Sequence, residues 1–158
     1  MHPLARSATD LVAAVRSGDL TAVACTEAFL DRIESLDGRI NAFLAVDRQR
    51  ALDQAATIDA RRKAGQPLGA LAGLPVAVKD ALCTIDFPTT CASRMLAGYR
   101  PPYDADVVAR LRRADAVIVG SAIVSRIEDL VATPQLIPAV IGDFLAGLRA
   151  AMDGADRG

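Results

Sequence analysis

The chain is poor in the residues that carry several common kinds of chemistry. It has no tryptophan, one histidine and only 4% aromatic residues, so a stacking platform for nucleic-acid bases is not expected. The formal net charge is −1, and a chain without excess positive charge does not offer the basic surface that binds a phosphate backbone. Direct binding to nucleic acid is therefore not predicted.

Cysteines and long apolar runs are scarce as well. The three cysteines, Cys25, Cys83 and Cys91, are odd in number and lack the spacing of metal ligands, which predicts reduced thiols and neither a metal nor a cofactor. No apolar run reaches the roughly 20 residues of a membrane span, and residues 1–10 have no apolar core of a signal peptide. These features predict a cytoplasmic protein without a membrane partner.

The pattern of apolar residues predicts an α/β fold. Helical spacing indicates a short helix between Ser7 and Gly18, a second from Thr21 to about Asp37, and further helices near residues 47–64 and 105–114. Short apolar runs indicate strands or extended segments near residues 40–46, 76–78 and 116–120. The last run is apolar throughout, which is typical of a buried strand in a parallel or mixed sheet.

The segment at residues 71–93, LAGLPVAVKDALCTIDFPTTCAS, carries the strongest chemical signal. Lys79 follows a short run of strand-forming residues, and we expect it to lie at the end of a strand and to be largely buried. Desolvation disfavours a charged ammonium, so a buried lysine can act as a base near neutral pH. The alternative is a strand-end lysine paired with Asp80 or another carboxylate.

The motifs GLPVAVKD, TTCAS and PPYDADVVARLRRADAVIVG resemble the amidase signature family, and most closely its glutamyl-tRNA(Gln) amidotransferase A-subunit branch. The resemblance covers about residues 7–120. It implies the N-terminal portion of the amidase-signature fold, with helices packed on a mixed β-sheet. We expect residues 1–120 to form a truncated amidase-signature domain and residues 121–158 to be an unrelated helical tail.

The resemblance implies amide hydrolysis by a serine, a bridging serine in a cis peptide and a lysine base, with Lys79 matching the base. In this branch the subunit releases ammonia from glutamine, and partner subunits use it to form Gln-tRNA(Gln). The six serines of this chain lie outside any Gly/Ser-rich context like the one that holds the family's nucleophile. We therefore expect the chain alone to be inactive, with other amidotransferase subunits as its implied partners. The alternatives are a non-catalytic interaction or scaffold protein, or the product of a disrupted gene.

Several residues have both a functional and a structural interpretation. Thr89, Thr90 and Ser93 could line a substrate pocket or form loop hydrogen bonds. The cysteines are interpreted as small buried thiols, since no histidine is placed to activate them. Tyr103 and Asp104 are expected to fix a turn and cap the following helix.

Three further features concern charge and the tail. Arg61, Arg62 and Lys63 are interpreted as compensation of a helix dipole on a solvated face. The family usually has Asn at Ala81, Lys-Gly at Ile85 and Asp86, and Gly at Asp115. A predicted helix over residues 135–152 carries an apolar stripe that could cover the sheet or drive self-association; the stripe consists of Ile137, Ile141, Phe144, Leu148 and Met152.

Overall fold

A computed structural model describes residues 2–91 and 93–122 of the chain. The helices are α1 (Ala8–Ser17), α2 (Ala22–Ile40), α3 (Arg48–Lys63) and α4 (Asp106–Arg113), and the strands are β1 (Phe43–Val46), β2 (Pro75–Val78) and β3 (Val117–Ala122). This order confirms the predicted α/β class. The predicted helix over residues 135–152 lies outside the described residues. Within the described ranges, no helix combines the length and apolar character needed to cross a membrane.

Side-chain caps explain where the first helices begin. The Ser7 hydroxyl accepts a hydrogen bond from the Asp10 amide at 3.2 Å, and α1 ends at Gly18, which adopts φ 89°. The Thr21 hydroxyl accepts one from the Ala24 amide at 3.0 Å. These interactions satisfy amides that have no partner within a helix, and they lie where the sequence predicted the two helices to begin.

Helix α2 continues beyond the predicted end near Asp37. It runs to Ile40, and Asn41 takes the left-handed conformation at φ 53° that closes it. The Asp37 carboxylate accepts hydrogen bonds from the amides of Ala42 and Phe43 at 2.8 and 3.1 Å. Asp37 therefore shapes the turn into β1 and does not end the helix. The helix closes at Asn41 instead, because asparagine tolerates a left-handed backbone.

The sheet is built around β3. The strand order is β1-β3-β2, with β3 antiparallel to β1 and parallel to β2, which confirms the predicted mixed sheet. Val117 and Ile118 have no exposed surface, and they belong to apolar clusters on opposite faces of the sheet. Both faces of β3 are therefore covered within the described residues, as a fully apolar strand requires.

Gly120 lets β1 approach β3 closely. A Cβ atom added at Gly120 would lie 2.4 Å from the Ala45 carbonyl oxygen, far inside van der Waals contact. Glycine is thus required at this point of the central strand because the neighbouring backbone occupies the space of a side chain.

The segment that leads into β2 is fixed against the turn after α4. The Leu71 amide donates to the Ala114 carbonyl at 2.8 Å, and the Gly69 amide donates to the Asp115 carboxylate at 2.5 Å. Arg61 of α3 binds the same carboxylate at 2.6 Å and also donates to the Pro67 carbonyl. The predicted role of Arg61 as part of a solvated basic face is therefore wrong, since its guanidinium holds this junction.

Asp115 adopts a left-handed backbone with φ 61°. Glycine, which the resemblance implies at this position, reaches this region without steric cost, whereas other residues lose about 1–2 kcal/mol. The Asp115 side chain is 11% exposed, and its carboxylate is bonded to Arg61 and Gly69. These charge-assisted hydrogen bonds offset the backbone strain.

We expect Asp115→Ala to destabilise the protein by about 2–4 kcal/mol, because it keeps the strained backbone and loses both contacts. Asp115→Gly should cost about 1–2 kcal/mol less than Asp115→Ala, because glycine relieves the strain. Urea unfolding followed by circular dichroism measures both changes. Equal stability of the alanine and glycine variants would contradict the assignment of strain at this residue.

Candidate functional site

Lys79 lies directly after the last residue of β2. The position at the carboxyl end of a strand is as predicted, but the expected burial is wrong: Lys79 is exposed, whereas Val78 is 3% exposed. Successive side chains of a strand point to opposite faces, and Ala77, two residues before Lys79, is also exposed. The alternation that buries Val78 therefore turns Lys79 outward, and no described residue covers that face enough to dehydrate it.

Asp80 ties the two ends of the loop together. It is 4% exposed, and its carboxylate accepts hydrogen bonds from the Thr90 amide at 2.8 Å and the Thr90 hydroxyl at 2.6 Å. The Cys91 amide donates to the Asp80 carbonyl at 3.3 Å. Asp80 is thus a buried anchor that holds residues 90–91 against the end of β2.

The hydroxyl residues near Asp80 form the loop hydrogen bonds that the sequence suggested. The Thr89 hydroxyl donates to the Leu82 carbonyl at 3.4 Å. The Ser93 hydroxyl accepts from the Met95 amide at 3.3 Å. These contacts, together with those of Thr90, give the loop after Lys79 a defined path.

Ser121 is the described serine nearest to Lys79 in the strand register. It is 2% exposed, its hydroxyl has no hydrogen-bond partner among the described residues, and it pairs with Val78 across the parallel strands. Side chains at paired positions share one face of a sheet. Ser121 therefore lies on the inner face with Val78, whereas Lys79 projects from the outer face.

The three cysteines differ in their surroundings. Burial raises the pKa of the Cys25 thiol to about 11, against a smaller opposing effect of Arg6. Cys91 is exposed and has a left-handed backbone with φ 49°. Cys83 is half-buried, with its sulfur 3.8 Å from the Tyr103 hydroxyl. The prediction of a small buried thiol is confirmed for Cys25 and wrong for Cys91, which is exposed.

A network of ion pairs on the far side of the loop was not predicted from the sequence. Asp86 has a side-chain exposure of 4% and binds Arg50 of α3 at 2.6 Å and Arg112 of α4. Arg112 also binds Asp104 at 2.8 Å. The one available signal was the charged residue at position 86, where the resembling family usually has glycine.

Asp104 belongs to this network and does not cap α4. Helix α4 begins after Ala105 without a side-chain cap, so the predicted capping role of Asp104 is wrong. Its carboxylate instead accepts from the Ile85 amide at 3.0 Å and binds Arg112. Burial opposes ionisation of Asp104, but these two donors prevail and hold the pKa of its carboxyl below the ordinary value.

The same contacts act on Arg112 in the opposite direction. Burial disfavours its charge, but hydrogen bonds to Asp86 and Asp104 raise the pKa of the guanidinium above its ordinary value. Arg112 is therefore a permanent cation shared by two carboxylates.

An open cleft of about 630 Å³ lies beside the network. Its walls carry charges of both signs, from Asp47, Asp53, Asp86, Arg50 and Arg112. Lys79 is not among the lining residues. The cleft and the lysine are thus separate features of the described structure.

The family model for amidases matches residues 24–135, which is more than half of the chain. This chain belongs to the amidase family. Its curated relatives include the A subunits of the glutamyl-tRNA(Gln) amidotransferases from Salinispora arenicola and Thermobifida fusca, both 55% identical over 114 residues. The one from Chlamydia pneumoniae is 46% identical. Each match covers 72% of this chain and 23% of the relative, so this amidase-family chain spans about a quarter of their length.

Solved amidase structures have the same arrangement of helices and strands. Peptide amidase from Stenotrophomonas maltophilia superposes with a TM-score of 0.72 at 36% identity, over 79% of this chain and 26% of its own. A bacterial aryl acylamidase of the amidase signature family gives a TM-score of 0.70 at 26% identity, over 74% of this chain and 25% of its own. The recognition of the amidase signature family from its motifs, and of the fold it implied, is confirmed.

We expect the three thiols of this amidase-family chain to react at different rates with a disulfide reagent at pH 8. Cys91 should react first and Cys83 more slowly. Cys25 should stay unmodified in the folded protein, because a pKa of about 11 leaves roughly one thiolate per thousand. Mass spectrometry of the labelled peptides measures the order. Modification of Cys25 as fast as Cys91 would contradict the burial of α2 in the core.

We also expect the free energy of unfolding to depend on pH through the ionisation of Asp104. Because folding lowers its pKa, its contribution is fully present above the ordinary carboxyl pKa of about 4 and is lost as the pH falls through the lower folded value. Asp104→Asn should therefore lower the free energy of unfolding at about pH 6, and this destabilisation should become smaller as the pH falls to about 2–3. Asp31→Asn, at an exposed ion pair with Arg48, is the control, and a pH-independent effect of Asp104→Asn would refute the ionised role of this carboxylate.

Proposed function

We propose that this chain supplies the lysine-bearing strand and loop of an enzyme similar to the A subunit of glutamyl-tRNA(Gln) amidotransferase. In this proposal Lys79 is the base, and the 158-residue chain does not hydrolyse amides by itself. The observation that carries the proposal is the position of Lys79 at the carboxyl end of β2, in the matching motif, with Ser121 on the opposite face.

The proposed inactivity follows from what a lysine base requires. A serine hydroxyl is a weak nucleophile until an adjacent base accepts its proton, and donors must then stabilise the oxyanion that forms. Lys79 is exposed on the outer side of β2, which is open to a further element that brings a serine. Dehydration of Lys79 would then come from that element.

We further propose that the reaction served is release of ammonia from glutamine, with other amidotransferase subunits as partners. The support is the identity of 46–55% to A subunits of glutamyl-tRNA(Gln) amidotransferases. In this proposal the partial amidase domain, predicted for residues 1–120, runs to the end of β3 at Ala122, and the residues after it form a separate tail.

The second candidate is a non-catalytic interaction protein. It is favoured by exposed apolar side chains in the segment after Ser93: Met95 is 96% exposed, Tyr103 57% and Tyr99 45%. Exposed apolar side chains that form one contiguous patch are typical of a surface that another polypeptide covers, and in this candidate the three side chains form such a patch. Both candidates thus require a partner, and they differ in whether Lys79 takes part in chemistry.

Activity assays of the chain alone, and of the chain mixed with the rest of a relative, separate the two candidates. The chain alone should show no glutaminase turnover above buffer. Mixing it with the remaining three quarters of the Thermobifida fusca relative, expressed separately, should produce turnover. Lys79→Ala should reduce that turnover at least about a hundredfold, which is the lower range for loss of a general base.

Lys63→Ala is the matched control, because Lys63 is the only other lysine of the chain and ends α3. It should leave turnover in the mixture unchanged. Turnover by the chain alone that disappears in Lys79→Ala would show that the chain is catalytically complete. Turnover in the mixture that is equal in both lysine variants would favour the interaction protein.

A further inference from the structure

Asp86 connects three parts of the molecule through one buried carboxylate. Arg50 reaches it from α3 at 2.6 Å and Arg112 reaches it from α4. Arg100, further along the same loop, donates to the Asp86 carbonyl at 3.2 Å. A single residue of the loop after Lys79 is therefore held from two helices and from the loop itself.

The contacts of Arg112 extend this attachment to the neighbouring loop residues. Arg112 donates to the Thr84 hydroxyl at 3.4 Å and binds Asp104, which accepts from the Ile85 amide. Each of residues 84–86 is thus bonded to a carboxylate or a guanidinium group. Lys79 lies shortly before Thr84 in the chain, and the Leu82 amide donates to the Lys79 carbonyl at 2.9 Å.

The charges within the network balance. Asp86 and Asp104 carry two negative charges, and Arg50 and Arg112 carry two positive charges. A buried carboxylate that loses a partner is left with an uncompensated charge, which is strongly destabilising. The network therefore favours one position of residues 84–86 over displaced ones.

We propose that Asp86, Arg50, Arg112 and Asp104 form an ion-pair clasp that sets the conformation of the loop beginning at Lys79. The clasp determines where the lysine is presented, and it acts through the loop backbone. The proposal does not depend on amidase activity.

Hydrogen exchange and lysine spectroscopy test the clasp in the full chain. In Asp86→Gly we expect the Ile85 and Thr90 amides to exchange at least about tenfold faster, while the Leu30 amide inside α2 is unchanged. Reductive methylation with carbon-13 gives one NMR signal set for each of the two lysines. The Lys79 signals should shift in Asp86→Gly and those of Lys63 should not.

Variants at Arg50 keep the test decisive if Asp86→Gly does not fold. The Arg50 side chain is 45% exposed, so its replacement is tolerated more easily. Arg50→Ala should accelerate Ile85 exchange and shift the Lys79 signals, and Arg50→Lys should restore most of both, since it keeps the charge. Asp31→Asn, which breaks an exposed pair, should change neither. Unchanged Ile85 exchange in Arg50→Ala, or equal acceleration of Ile85 and Leu30, would overturn the proposal.

Discussion

The described structure depends on covering both faces of β3. Val117 and Ile118 are fully buried and belong to clusters on opposite faces of the sheet. Each buried apolar side chain of this size contributes about 1.5–3 kcal/mol relative to exposure. Helices on both sides are therefore required, and β2 takes its position as the parallel neighbour of this strand. The site follows from that arrangement because β2 carries Lys79 at its end.

The pleat that sends Val78 into the core sends Lys79 outward. Asp80 and the clasp around Asp86 then fix the following loop at two points, one beside the strand and one against α3 and α4. The lysine is thus carried by a firmly attached loop on an open face.

Local patterns predicted most of the fold, whereas the site was only partly predictable because its contacts join distant residues. The caps at Ser7 and Thr21 and the apolar run of β3 are each set by nearby residues. The exposure of Lys79 depends on what packs against the outer face, which no local pattern specifies. The pairing of Asp86 with Arg50 spans 36 residues, so it could not be inferred from spacing along the chain.

The central proposal is that Lys79 serves as a base and that the chain supplies no serine nucleophile of its own. Labelling with a fluorophosphonate, which modifies activated serines, tests it most directly. We expect no labelled peptide from the folded 158-residue chain, including the peptide that contains Ser121. A stoichiometric adduct on any serine that is lost in Lys79→Ala and retained in Lys63→Ala would contradict this claim.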